Sequence, residues 1–162
     1  GEIAGVAGGI CELDLSGNHL PDWDTVQRFN VELPALTTLD LSRMPSLRWP
    51  TEAPSTTPFA ALQVLILNET KLDWTRMLAL HSVLPALQEL HFCENDIVSL
   101  APGADRSNEE CFPHLRVLSL ENNSIASWSE VAHVAMLPCL ERLVLNGNQL
   151  EEVRGPEGAA ES

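Results

Sequence analysis

The sequence is poor in basic residues: 9 Lys and Arg face 23 Asp and Glu, and the formal net charge of the 162-residue chain is −14. Proteins that bind nucleic acid neutralise its phosphates with Lys and Arg, and anionic membrane surfaces attract the same side chains. The composition therefore argues strongly against a nucleic acid partner and disfavours an anionic membrane surface. The acidity either keeps the chain soluble or attracts a protein with basic patches.

A long hydrophobic run is also missing. No segment approaches the roughly 18 apolar residues that a membrane span requires, so we expect no transmembrane helix and no membrane partner. The first ten residues, GEIAGVAGGI, have no basic region ahead of a long hydrophobic one and do not form a secretory signal as they stand. The chain lacks an initiator Met and a convincing cap at either end, so we expect it to be the middle portion of a longer polypeptide.

Paired cysteines are missing too. The four Cys stand at positions 11, 93, 111 and 139, and no CxxC occurs. Scattered thiols favour a reducing compartment. Two N-glycosylation sequons, at Asn68 and Asn122, favour an extracellular or cell-surface recognition module instead. We interpret both as structural Asn residues, because each lies where a strand is expected to end.

No catalytic motif is present: the chain has no phosphate-binding loop, GxSxG or HExxH. Glu89, His91 and Cys93 alternate on one strand and therefore share a face, which leaves a Cys-His nucleophile or a metal site open. A lone His-x-Cys lacks the spacing of a zinc site and an orienting third group. We therefore predict a protein that is not an enzyme and has no cofactor or metal.

What the sequence does contain is one spacing of apolar residues, repeated six times. In residues 62–72, LQVLILNETKL, leucines occupy the first, fourth, sixth and eleventh places. Equivalent blocks begin at residues 10, 36, 62, 87, 115 and 140, at intervals of 26, 26, 25, 28 and 25 residues. Asn occupies the ninth place in four blocks, as Asn18, Asn95, Asn123 and Asn148. Met44 and Thr70 occupy it in the other two, where we expect differently bonded turns.

These blocks fit the consensus of leucine-rich repeats, whose period is roughly 20–29 residues. The fourth and sixth places both point inward from a short strand, so the residue between them points to the opposite face. A repeat buries its apolar side chains only by stacking on a neighbour. The pattern predicts an α/β fold, a right-handed leucine-rich-repeat solenoid forming a horseshoe segment. A six-stranded parallel sheet forms its concave face, helices and irregular loops form its convex face, and Leu65, Leu90 and Leu118 stack in one row.

The segments that return from one strand to the next are of two predicted kinds. Odd blocks return by helices that begin after Asp22, at Asp73 and at Ser127, with Ser127 and Glu130 forming a capping box. Prolines and glycine favour irregular returns in the even blocks.

Tryptophans mark the starts of the three predicted helices. We expect Trp23, Trp74 and Trp128 to pack in the core. Trp49 lies in the proline-rich second return, where we expect it to be exposed.

The domain organisation follows from the blocks. Residues 1–9 are predicted to be the tail of a preceding repeat or a linker, with helical spacing of Ile3, Val6 and Ala7. Residues 10–150 form the repeat domain, and residues 151–162 form a polar tail or a truncated return.

The residues that alternation turns toward the concave face are the candidate binding site. They place apolar Val and Ile beside carboxylates, as on a protein-binding surface, although Val and Ile are also simply good strand formers. The predicted protein-binding residues are Val64, Ile66, Glu89, His91, Val117, Ser119, Arg142 and Val144.

Three segments also resemble one family. ICELDLSGNHLPDW, VLILNETKLDW and LENNSIASWSEV, from the first, third and fifth blocks, are similar to the leucine-rich repeat domain of the tubulin-folding cofactor E family, also called tubulin-specific chaperone E. The resemblance spans residues 10–150 and implies a cytoplasmic, cytoskeleton-associated, non-catalytic scaffold. It implies α-tubulin as partner, bound during assembly or disassembly of the αβ heterodimer. We expect a monomer. The alternatives are the extracellular module and a regulatory repeat protein of another cytosolic complex.

Overall fold

A computed structural model describes residues 8–103 and 111–151. One strand lies in each of the six blocks: β1 Glu12–Asp14, β2 Thr38–Asp40, β3 Val64–Ile66, β4 Glu89–His91, β5 Val117–Ser119 and β6 Arg142–Val144. The strands form one sheet in chain order, and every neighbouring pair is parallel. The predicted leucine-rich-repeat fold with a six-stranded parallel sheet is confirmed.

The central leucines of the strands lie in one continuous row across the sheet. The register joins Leu13, Leu39, Leu65, Leu90, Leu118 and Leu143 as successive partners. The four inner leucines of this row have no exposed surface, whereas Leu13 and Leu143 at the two ends are half-buried. The row predicted for Leu65, Leu90 and Leu118 is therefore confirmed, and its stacking closes the core.

The odd returns are helical. Helix α1 is Trp23–Glu32, α2 is Trp74–Ala79 followed by a 3₁₀ turn at His81–Val83, and α3 is Trp128–Ala135. The Asp22 carboxylate accepts hydrogen bonds from the hydroxyl and the amide of Thr25 at 2.8 and 3.0 Å, which lower the pKa of Asp22. These contacts confirm the predicted N-cap. The described parts of the even returns contain no helix, as the prolines predict. None of the described helices has the length and apolar character of a membrane span.

The capping box predicted at α3 is wrong. Ser127 Oγ accepts from the amide of Ser129 at 3.1 Å, not from that of Glu130. The Glu130 carboxylate instead accepts the Leu100 amide at 2.7 Å and the Ser99 hydroxyl at 2.9 Å. Both donors lower the pKa of Glu130, and the Leu100 amide has the larger effect. The Glu130 carboxylate therefore pairs with a backbone amide of the irregular fourth return. The sequence of α3 alone does not reveal this contact.

Two of the tryptophan predictions are also wrong. Trp23 and Trp74 are buried as expected, but Trp128 is 48% exposed. Its indole N–H donates to the Glu151 carbonyl at 2.9 Å. Trp49 is half-buried rather than exposed, since its ring packs 5.6 Å from that of Trp23.

The ninth-place asparagines form a ladder along one side of the core. Asn123 Oδ1 accepts the amides of Asn95 and Ile97 at 2.9 and 3.1 Å, and its Nδ2 donates to carbonyls of both its own and the preceding repeat. In the same way, Asn95 Oδ1 accepts the amide of Thr70 in the third repeat. The predicted backbone-bonding role of these Asn side chains is confirmed. The turn at Thr70 is bonded differently, as expected, because a hydroxyl rather than an Asn amide donates to the Leu67 carbonyl, at 3.1 Å.

Candidate functional site

Two rows of side chains cross the sheet on the face opposite the leucine row, which we call the concave face. The third-place row is Glu12, Thr38, Val64, Glu89, Val117 and Arg142. The fifth-place row is Asp14, Asp40, Ile66, His91, Ser119 and Val144. Both rows follow from the alternation of side chains along three-residue strands. The structure thus brings all eight predicted binding residues onto four adjacent strands.

Apolar side chains occupy three of these four strands. Val64 and Ile66 lie on β3, Val117 on β5 and Val144 on β6, and all four are half-buried. Neighbouring strands lie about 4.8 Å apart, so Val64 and Val117 are separated by about 10 Å. Their exposed parts offer apolar area that a partner can cover, which is the main source of favourable association energy.

β4 supplies the polar residues between the two apolar groups. His91 Nε2 lies 3.7 Å from a carboxylate oxygen of Glu89, and both side chains are partly exposed. A polar contact this accessible to water contributes little to stability. Glu89 and His91 also separate the apolar residues of β3 from those of β5 and β6.

The Ser119 side chain is not exposed to solvent, contrary to the prediction that it lies on the binding surface. It is only 3% exposed. Its hydroxyl lies 3.3 Å from Cys93 Sγ and 3.2 Å from the Glu121 carboxylate, and these two side chains cover it. Glu121 also accepts from Asn146 Nδ2 at 3.3 Å. The expectation that Ser119 is an accessible surface residue is therefore wrong.

The first two strands carry the negative end of the concave face. Glu12 and Asp14 are exposed and Asp40 is half-buried. The Ser16 amide and hydroxyl lower the pKa of Asp14, with a smaller contribution from Arg43. Asp40 accepts the Ser42 amide at 2.8 Å. The eight predicted residues omit these carboxylates, although the same alternation places them in the same rows.

The opposite end of the concave face is basic. Arg142 is exposed on β6, and its side chain has no hydrogen bond or ion pair among the described residues. The neighbouring Arg116 is held differently, because it forms a two-pronged pair with the Glu141 carboxylate at 2.9–3.1 Å. This contact raises the pKa of Arg116. Arg142 is thus the cation at this end that remains available to a partner.

The residues considered for catalysis have separate partners. His91 faces Glu89, whereas Cys93 is buried beside Ser119. In residues 8–103 and 111–151, no group of three His, Cys, Asp or Glu is arranged to hold a metal ion.

The Asn68 sequon has a structural role. Asn68 Oδ1 accepts the Cys93 amide at 2.9 Å and so joins the turns of the third and fourth repeats. Cys11, Cys93 and Cys139 are free thiols.

The chain is similar to known leucine-rich repeat proteins. Residues 113–156 match the family described as Leucine Rich repeats (2 copies). The chain is 40% identical over 141 residues to Tubulin-folding cofactor E of Arabidopsis thaliana, covering 87% of this chain and 26% of the relative. It is 31% identical to the human Tubulin-specific chaperone cofactor E-like protein, covering 96% of this chain and 36% of the relative. It is 33% identical to mouse Tubulin-specific chaperone E, covering 97% of this chain and 29% of the relative. The chain therefore spans about a quarter to a third of the length of these relatives.

Proposed function

This chain belongs to the leucine-rich repeat family and is similar over most of its length to tubulin-folding cofactor E, and on that premise we propose that it is a non-catalytic scaffold that binds α-tubulin. The binding would occur during assembly or disassembly of the αβ-tubulin heterodimer. The names of the relatives support a role in tubulin folding. We also propose that this chain works in the cytoplasm, in association with the cytoskeleton, and that it is a monomer.

The observation that carries the proposal is the composition of the concave face. Val64, Ile66, Val117 and Val144 lie on one face with part of their apolar surface uncovered. Carboxylates lie at one end of this face and Arg142 at the other, and Glu89 and His91 separate the apolar residues of β3 from those of β5 and β6. Protein-binding surfaces commonly combine an apolar core with a polar rim. A ligand pocket needs an enclosed cavity, whereas the open sheet fits a large partner better.

Changing Val64→Asp together with Ile66→Asp should weaken α-tubulin binding at least tenfold. Two carboxylates at the centre of the contact would lose their water without gaining a partner, and a tenfold loss corresponds to about 1.4 kcal/mol. Binding of the full-length protein to purified αβ-tubulin can be measured by fluorescence anisotropy. Circular dichroism of the same variant checks that the fold is retained, because both positions are half-buried.

A matched control is Val98→Asp. Val98 is 63% exposed in the return that follows β4, away from the sheet face. This variant should bind like the unchanged protein. A folded Val64→Asp, Ile66→Asp variant with unchanged affinity would remove the concave face from the proposal.

A further inference from the structure

We propose that the part of the tubulin partner that lies on the concave face is an amphipathic α-helix crossing the strands. Its Lys or Arg side chains contact β1 and β2, and its apolar side chains contact β3, β5 and β6. This inference rests on the proposed function and specifies what the binding surface recognises. Three features of the concave face support it: the order of its charges, the kind of groups it exposes and its length.

Charge is distributed unequally along the two rows of the concave face. Glu12, Asp14 and Asp40 lie on β1 and β2, and the only Lys or Arg in either row is Arg142 on β6. Glu12 has no hydrogen bond or ion pair among the described residues. The guanidinium of Arg43, just past β2, donates to Ser16 Oγ at 3.1 Å. One end therefore favours a cationic group, and the other favours an anionic or neutral one.

The exposed groups favour a helix over an extended segment. An extended peptide gains affinity mainly by adding to a sheet edge, where backbone N–H and C=O groups are free. The concave face of β3 to β5 presents side chains, because the backbone groups of these strands bond to neighbouring strands. An extended segment lying on Val64, Ile66 and Val117 would leave its own backbone groups unpaired. A helix pairs them internally.

The length of the face sets the spacing of the contacts. Five gaps of about 4.8 Å give about 24 Å from β1 to β6, which corresponds to about 16 residues of α-helix at 1.5 Å per residue. Strands two apart, such as those of Val64 and Val117, are separated by about 10 Å, or about seven helical residues. Residues seven apart lie on the same face of a helix. In the partner helix, the Lys or Arg that contacts β1 should therefore lie about two turns from the first apolar residue, which contacts β3.

Glu12→Lys combined with Thr38→Lys tests the charge order. These third-place neighbours lie on β1 and β2, and no hydrogen bond from either side chain occurs among the described residues, so the change adds positive charge without removing a described contact. The full-length variant should bind purified αβ-tubulin at least tenfold more weakly at 50 mM salt. Its affinity should also depend less on salt between 50 and 200 mM, because an attraction has been removed.

The matched control is Thr51→Lys with Glu52→Lys, the same pair of residue types at exposed positions of the second return. It should leave affinity and salt dependence unchanged. If Glu12→Lys, Thr38→Lys binds normally while Val64→Asp, Ile66→Asp does not, the helix inference fails and the proposed function stands. If both variants bind normally, the helix inference fails and the concave face is removed from the proposed function.

Carbodiimide coupling of the complex tests the helix itself. The reagent joins a carboxylate to a nearby Lys amine as an amide and takes up the water that is lost. We expect Glu12 to couple to a tubulin Lys in an α-helix, with apolar residues on the same helical face about seven residues away. Coupling of Glu12 only to a Lys in a loop or strand, or no coupling of Glu12 in a complex that forms, would overturn the inference.

Discussion

Asn95→Ala should lower the free energy of unfolding by about 3 kcal/mol or more. Asn95 Oδ1 accepts the amides of Thr70 and Lys71 at 2.8 and 2.9 Å, and its Nδ2 donates to the carbonyls of Leu67 and Cys93 at 2.8 and 3.0 Å. The side chain is only 5% exposed. Ala would therefore leave the Thr70 and Lys71 amides without a partner, whereas the Leu67 and Cys93 carbonyls still accept from the Thr70 hydroxyl and the Glu69 amide. Each fully buried group without a partner costs about 1–3 kcal/mol.

Asn18→Ala is the matched control, because Asn18 occupies the same ninth place in the first block. Its side chain is exposed and donates to the Leu15 carbonyl at 2.9 Å. Water can replace that bond, so the cost should be about 1 kcal/mol or less. Urea unfolding followed by circular dichroism measures both variants. Equal losses at the two positions would show that the buried asparagine ladder does not join the repeats as described.

Leu90→Ala should cost about 3–4 kcal/mol, a typical loss for truncating a fully buried leucine. Leu90 is 0% exposed and lies between Leu65 and Leu118 in the leucine row. The cavity would open between two repeats, and a repeat protein is stabilised by such nearest-neighbour contacts. The measurement is again the free energy of unfolding in urea.

Leu13→Ala provides the comparison within the same row. Leu13 is half-buried and has a partner on one side, Leu39, among the described residues. Its truncation should cost clearly less than that of Leu90. The account of the core would be wrong if the end position proved as sensitive as the central one.

The repeating part of the fold could be predicted because its cause is local and periodic. Leu65, Leu90 and Leu118 recur at the same place of each block, so one inward side chain per strand fixes the row. The ninth-place Asn residues follow the same period, and their ladder is equally regular. The prediction needed only the spacing and the requirement that each repeat bury its leucines against the next.

The features that could not be predicted depend on partners from other parts of the chain. Glu130 has a good capping-box position, but the Leu100 amide, 30 residues earlier, takes its carboxylate. Trp49 lies among prolines, yet the ring of Trp23 covers part of it. Alternation placed Ser119 in the right row but gave no indication that Cys93 and Glu121 would cover it. Irregular returns carry no period from which such contacts could be deduced.

The same limit applies to the candidate site. Alternation correctly placed the Val, Ile and charged residues in two rows on one face, because strand geometry alone determines this. The ionic contacts of individual side chains required coordinates. Alternation placed Arg142 and not Arg116 on the concave face, but it did not show that the Arg116 side chain pairs with Glu141 whereas the Arg142 side chain has no partner among the described residues.

The central claim is that the concave face is the surface that contacts α-tubulin, and photocrosslinking tests it most directly. p-Benzoylphenylalanine would replace Glu89, at the centre of the concave face, or Val98 in the fourth return as the control. After irradiation of the full-length protein with purified αβ-tubulin, mass spectrometry identifies the joined peptides. The account predicts crosslinks to α-tubulin from position 89 and none from position 98. Crosslinks from position 98 alone would contradict it.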